Sequence, residues 1–166
     1  MARVLIPLAQ GCEELEAVTI IDLLRRANID VVTAGLDAQP VTASGGVVLI
    51  PDTELEQVMT EDFDMMVLPG GLPGSDNLDN DPRIHELLQR LQQQGKFVAA
   101  ICAAPKVLAN AGLLSGRQAT SYPGVIDAME LPATQVLKQA VVIDDKVITS
   151  RGPGTAMDFA LMLIQQ

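Results

Sequence analysis

Apolar positions along the chain follow two alternating rhythms. Continuous runs at 3–9, 29–34, 64–68 and 96–101 have the length and branched aliphatic content of strands buried on both faces. Between them, Ala17, Ile20, Ile21 and Leu24 recur at helical spacing and predict an amphipathic helix over 13–27. Ile84, Leu87, Leu88 and Leu91 predict a second helix that starts near Asp81-Pro82 and stops at Gly95. Residues 103–111 read as a third. Thr155 to Asp158 has capping-box spacing ahead of a last helix whose buried face is Ala156, Phe159, Ala160 and Leu163. Val41 to Ala43 and Val47 to Ile50 flank Ser44-Gly45-Gly46 as a hairpin, and residues 141–143 and 147–149 flank Asp144-Asp145-Lys146 as another. A short strand is expected over 118–122.

Strands alternating with helices, with no linker, repeat or low-complexity tract, predict a single α/β domain over 1–166 with a mostly parallel sheet. The chain is 48% hydrophobic but only 2% aromatic, so its core must be aliphatic. Twenty-one acidic residues against 11 basic ones give a net charge of −10, which repels polyanions and argues against nucleic acid or an anionic membrane surface as partner. No apolar run is long enough to span a bilayer, and the first one is too short for a signal peptide. Two cysteines make no disulfide framework, so a reducing, cytoplasmic setting is expected. Neither a phosphate-binding glycine motif nor a zinc-ligand spacing is present, and no cofactor or metal is expected.

The chemistry gathers at the strand ends. The run Phe97 to Ile101 stops at Cys102, with Ala103, Ala104 and Pro105 following. Small residues permit a sharp strand-to-helix elbow, and proline suits the first helical turn. An elbow of this kind aims the thiol at unpaired helix N–H groups, which favour the thiolate nucleophile. In a parallel sheet the loops beyond the carboxyl ends share one edge. Gly11-Cys12-Glu13, Pro69-Gly70-Gly71 and Ile101-Cys102-Ala103 are such loops. The N–H groups of Gly71 and Ala103 are candidate oxyanion donors, and a carboxyl from the first helix is a candidate proton carrier beside the sulfur. Spacing alone leaves open which of Glu13, Glu14 and Glu16 takes that role. Cys12 is expected to face the pocket, as spectator or as partner in a disulfide. His85, the only histidine, lies beside the apolar stripe of its helix and is expected to face solvent, which leaves no cysteine-histidine pair within one chain.

Four segments, Gly11 to Glu16, Val67 to Gly71, Ala99 to Pro105 and Thr149 to Thr155, resemble in order the signatures of the ThiJ/PfpI superfamily. They look most like its branch containing the Parkinson-disease-associated protein deglycase and bacterial YajL. The resemblance implies a flavodoxin-like three-layer sandwich with a cysteine nucleophile elbow at Cys102. It also implies Glu16 as the carboxyl on the sulfur, Gly71 and Ala103 as oxyanion donors, and Tyr122 and Pro123 near the pocket, to which the loop positions above add Gly70 and Cys12. It implies a homodimer with part of the first helix in the interface. The implied activity is glyoxalase or deglycase conversion of glyoxal, methylglyoxal and their early adducts. The alternatives are a redox sensor or holdase chaperone working through oxidation of Cys102, and a non-catalytic scaffold. The chain departs from the pattern at Tyr122-Pro123, where the branch often has histidine before proline, so peptidase and glutamine-hydrolysing activities are not expected. Relatives usually carry one more helix after the position of Gln166, and the face it covers is expected to be exposed.

Overall fold

The computed structural model describes residues 1–166. Its strands are β1 (Arg3–Leu8), β2 (Asp30–Gly35), β3 (Val41–Thr42), β4 (Val48–Leu49), β5 (Thr53–Glu54), β6 (Met65–Leu68), β7 (Phe97–Ile101), β8 (Gln118–Ala119), β9 (Gln135–Val136), β10 (Val141–Asp144) and β11 (Val147–Ser150). Its helices are α1 (Glu14–Arg26), α2 (Leu55–Val58), α3 (Gly74–Asp79), α4 (Pro82–Gln93), α5 (Pro105–Asn110) and α6 (Ala156–Ile164). Seven strands form the central sheet in the order β10-β11-β7-β6-β1-β2-β5. All pair in parallel except β10, which forms the expected antiparallel hairpin with β11. The hairpin over 41–50 forms as β3 and β4, apart from the main sheet.

Strand alternation divides the core into two layers. Leu5, Met66, Leu68, Val98 and Ala100 pack with Ile84, Leu87 and Leu88 of α4 and Val107 and Leu108 of α5 on one face. Ile6, Val67, Ala99 and Ile101 pack with Ala17, Ile20 and Leu24 of α1 and Phe159, Ala160 and Leu163 of α6 on the other. This is the flavodoxin-like three-layer sandwich. Full burial of each large aliphatic side chain contributes about 1.5–3 kcal/mol, and with so few aromatic rings these layers carry the stability.

The chain leaves β1 towards β2 and later returns to pair β6 along the other side of β1. The loops following β1 and β6 meet at the sheet's carboxyl edge, where the Glu13 N–H donates to the Gly70 carbonyl at 2.9 Å and the Gly74 N–H to the Gly11 carbonyl at 3.2 Å, and β7 ends beside them.

Several expectations need correction. The third helix begins at Pro105 because residues 102–104 form the elbow. The strand expected over 118–122 stops at Ala119, paired to β9. Thr155 makes no side-chain cap on α6; its hydroxyl instead accepts the Gly152 N–H (3.1 Å) and hydrogen-bonds Ser150 Oγ (2.7 Å). His85 does not face solvent freely: Nε2 contacts the Asp79 carbonyl at 2.8 Å and its carboxylate at 3.1 Å, which ties α4 to the end of α3.

Candidate active site

Beyond Ile101 the chain turns into the left-handed region: Cys102 has φ of 65°, a conformation few non-glycine residues adopt. Such a residue costs about 1–3 kcal/mol and persists only where its surroundings hold it. Here the Cys102 N–H donates to the Ser150 carbonyl at 3.0 Å, and its own carbonyl accepts the Tyr122 N–H at 2.8 Å. Ala103 and Ala104 are buried behind the elbow, and Pro105 opens α5. Cys102 thus sits on a sharp turn between β7 and α5, fixed from β11 on one side and from the segment after β8 on the other.

The three glutamates, which the helix dipole alone would treat alike, take separate tasks. Glu13 caps α1, accepting the Leu15 N–H at 3.2 Å. Glu14 reaches outward to the β3–β4 turn, where its carboxylate accepts the Gly45 N–H at 2.9 Å and the Val47 N–H at 3.2 Å. Desolvation raises this carboxyl's pKa, but those amides outweigh it and hold the pKa below the usual carboxylate range. Only Glu16, fully buried, turns inward. Its Oε1 accepts the Gly70 N–H at 3.0 Å, while Oε2 has no nitrogen or oxygen partner. Cys102 stands beside it, the two side chains bracketing the point where a Gly70 Cβ would lie.

Gly70 has no space for a side chain. A Cβ there would lie 2.5 Å from Cys102 Cβ, 2.6 Å from the Ile101 carbonyl oxygen and 2.7 Å from Glu16 Oε1. Gly71 has φ of 90°, and a Cβ would fall 2.4 Å from the Glu13 nitrogen. Two side-chain-free residues let β6 deliver backbone N–H groups to both members of the pair: Gly70 to the carboxyl, and Gly71, together with Ala103, to the sulfur.

These contacts set the electrostatics. Burial pushes the Glu16 carboxyl up to about 7, against the pull of Cys102 and of the Gly70 N–H. Burial, with the Glu16 charge beside it, pushes the Cys102 thiol up to about 12, while the Gly71 and Ala103 N–H groups pull it down. The elbow does not by itself lower the thiol as expected: desolvation, and the Glu16 charge while that carboxyl is ionised, oppose the amides. The two groups titrate as a pair holding two protons below about 7 and one above it. With that proton on Glu16, the neighbouring charge vanishes and the carboxyl O–H becomes a third donor to sulfur.

Cys12 lies in the loop after β1, as expected, but is only 1% exposed, and burial followed by the Glu14 charge pushes its thiol up to about 11. Tyr122 is half exposed, with its ring against Gly152, and Pro123 lines a neighbouring cavity. No three His, Cys, Asp or Glu side chains converge as a metal cluster. Two positioning groups escaped the sequence reading: the Ser150 carbonyl, whose role needs the β7–β11 register, and Glu14, whose turn partner lies 31 residues away.

Fold and site together define an α/β protein whose buried carboxyl meets a cysteine on a strand-to-helix elbow. The DJ-1/PfpI family profile matches residues 2–166, and the chain belongs to that family. It is 44% identical over 163 residues to protein dj-1beta of Drosophila melanogaster, spanning 98% of this chain and 87% of that protein. The crystal structure of that fly protein superposes with a TM-score of 0.95 at 43% identity, covering 99% of this chain and 89% of the other. The glutathione-independent glyoxalase DJR-1.2 of Caenorhabditis elegans is 38% identical over 164 residues, 99% of this chain and 87% of its own length. The family thus includes a glyoxalase, and no helix of this chain is long and apolar enough to cross a membrane.

Proposed function

We propose that the chain is a cysteine-dependent enzyme of the glyoxalase or deglycase type, acting on glyoxal, methylglyoxal and their early adducts. The single observation that carries this reading is the buried pair: Glu16 with one oxygen on the Gly70 N–H and the other free of any nitrogen or oxygen partner beside Cys102. In the one-proton state, proton on carboxyl, the thiolate is held by three donors: the Glu16 O–H and the N–H groups of Gly71 and Ala103. With the proton on sulfur instead, the carboxylate keeps one amide and a weak S–H donor, so the thiolate arrangement is favoured.

The chemistry then follows. The thiolate adds to the aldehyde carbon, forming a C–S bond, and the carbonyl electrons go to the oxygen, which takes the Glu16 proton. The emptied carboxylate carries the C1 hydrogen, as a proton, to the ketone-derived side through an enediol. The product is a thioester of a 2-hydroxy acid. Water cleaves it to the free acid and restores the thiol-carboxyl pair, with Gly71 and Ala103 N–H groups stabilising the oxyanions. From an amine hemiaminal, the C–S bond forms as the C–N bond breaks, and the Glu16 proton goes to the departing amine. The test is release of lactate or glycolate, corrected for buffer-catalysed background, by wild type, Cys102→Ser and Glu16→Leu. Both variants are expected to fall to background, and unchanged turnover in both removes the mechanism.

The same cradle favours a second reading, a redox sensor. Two successive oxygen transfers from peroxide, each releasing water, convert the Cys102 thiolate to a sulfinate whose oxygens meet the Glu16 O–H and the two amides. We also propose a homodimer through the outer face of α1, where Leu15 and Val18 stand exposed one helical turn apart. Sedimentation of Leu15→Glu as a monomer, against a dimeric wild type, is the expected result.

A further inference from the structure

Eleven lysines and arginines serve a chain rich in carboxylates. Arg3, Arg25, Arg26, Arg83, Lys96, Lys106 and Arg117 pair with acidic side chains. Arg90 donates to the Met59 and Glu61 carbonyls, and Lys146 lies over the Phe97 ring. The two that remain, Lys138 and Arg151, line the same cavity of about 380 Å³, together with Ser121, Pro123, Asp127 and Val136. Arg151 is half-buried, and its only side-chain contacts are two long ones from Nη1, to Thr120 Oγ1 and the Leu137 carbonyl, each at 3.4 Å. Its Nε and Nη2 donors have no partner. Asp127 lines the wall too, but its carboxylate accepts the Gly124 N–H at 2.7 Å.

The cavity is lined from the two segments that hold the elbow in place. Ser121 and Pro123 flank Tyr122, whose N–H holds the Cys102 carbonyl, and Arg151 follows Ser150, whose carbonyl holds the Cys102 N–H. A half-buried guanidinium with idle donors, in an acidic protein and in a cavity of small-molecule size, is suited to a bidentate anion. We infer that Arg151, assisted by Lys138, forms a carboxylate subsite next to Cys102. It would select oxoaldehyde adducts that carry a carboxylate, such as those of free α-amino acids, over neutral ones. This inference rests on the reading of Cys102 as nucleophile.

The test separates the two. Alkylation of Cys102 by N-iodoacetylglycine and by N-iodoacetylglycinamide, reagents of equal length differing by one charge, is followed by peptide mass. In wild type the acid is expected to react about five- to tenfold faster, with the preference shrinking at high salt. Arg151→Gln is expected to lose the preference without changing the amide rate, and Arg151→Lys to keep most of it. Equal rates in wild type, or a faster amide, overturn the subsite while leaving the nucleophile intact. If Arg151→Gln does not fold, the wild-type ratio and its salt dependence decide the matter. Sluggish reaction with both reagents at Cys102 removes nucleophile and subsite together.

Discussion

Replacing Glu16 by glutamine is expected to make the protein more stable, and increasingly so as pH rises. In the folded chain burial lifts this carboxyl from 4.5 to about 7, so between those values the native state holds a proton that the unfolded state has lost. Stability from this group is therefore full below about 4.5, falls as pH rises, and levels off above 7. At about 1.4 kcal/mol per pH unit, the penalty of taking the first proton from the buried Glu16–Cys102 pair grows from near zero at pH 4 to about 3 kcal/mol at pH 8. Glutamine carries no such penalty, keeps an oxygen for the Gly70 N–H, and presents its NH₂ where Oε2 has no nitrogen or oxygen partner. Carboxylates such as Asp52, Asp64 and Asp81, held acidic by their partners, are common to both proteins and cancel in the difference. Urea unfolding of wild type and Glu16→Gln at intervals from pH 4 to 8 gives the difference directly. A gap that widens with pH in favour of the variant is expected; parallel curves, or a variant that weakens as pH rises, would refute the assignment of a raised carboxyl.

Two further outcomes follow from the same geometry. Gly70→Ala places a methyl group 2.5 Å from Cys102 Cβ, so it is expected to cost about 1–3 kcal/mol in thermal or urea unfolding and to slow Cys102 alkylation as elbow and carboxyl are pushed apart. Mild peroxide is expected to add two oxygens at Cys102 alone, because Cys12 is sealed whereas Cys102 is partly exposed. Peptide mass spectrometry showing equal oxidation of both cysteines, or a Cys12–Cys102 disulfide, would contradict this.

Much of the fold was legible because it is written in long apolar rhythms. The buried strands ending at Leu8, Leu68 and Ile101, and the stripes on α1, α4 and α6, follow from periodicity. Short pieces such as β5, α2 and α3 span too few residues to show a period, and Thr155 was misread because its hydroxyl serves Gly152 and Ser150 instead of α6. At the site, the elbow was visible in Ala103-Ala104-Pro105. The distinct tasks of Glu13, Glu14 and Glu16 were not, since all three suit a helix start equally and only the packing of β6 and the distant Ser44–Gly46 turn separates them. The coupling of the thiol to a carboxyl was also hidden, because it depends on which glutamate arrives beside the sulfur.

The claim at the centre of this account is that Cys102 and Glu16 share a proton that sits on the carboxyl near neutrality. The rate of Cys102 alkylation against pH, in wild type and Glu16→Leu, tests it most directly. A wild-type rise centred near 7, where the pair loses its first proton, is expected, and its disappearance in the leucine variant. A single rise at the free-cysteine position of about 8.5, the same in both proteins, would contradict it.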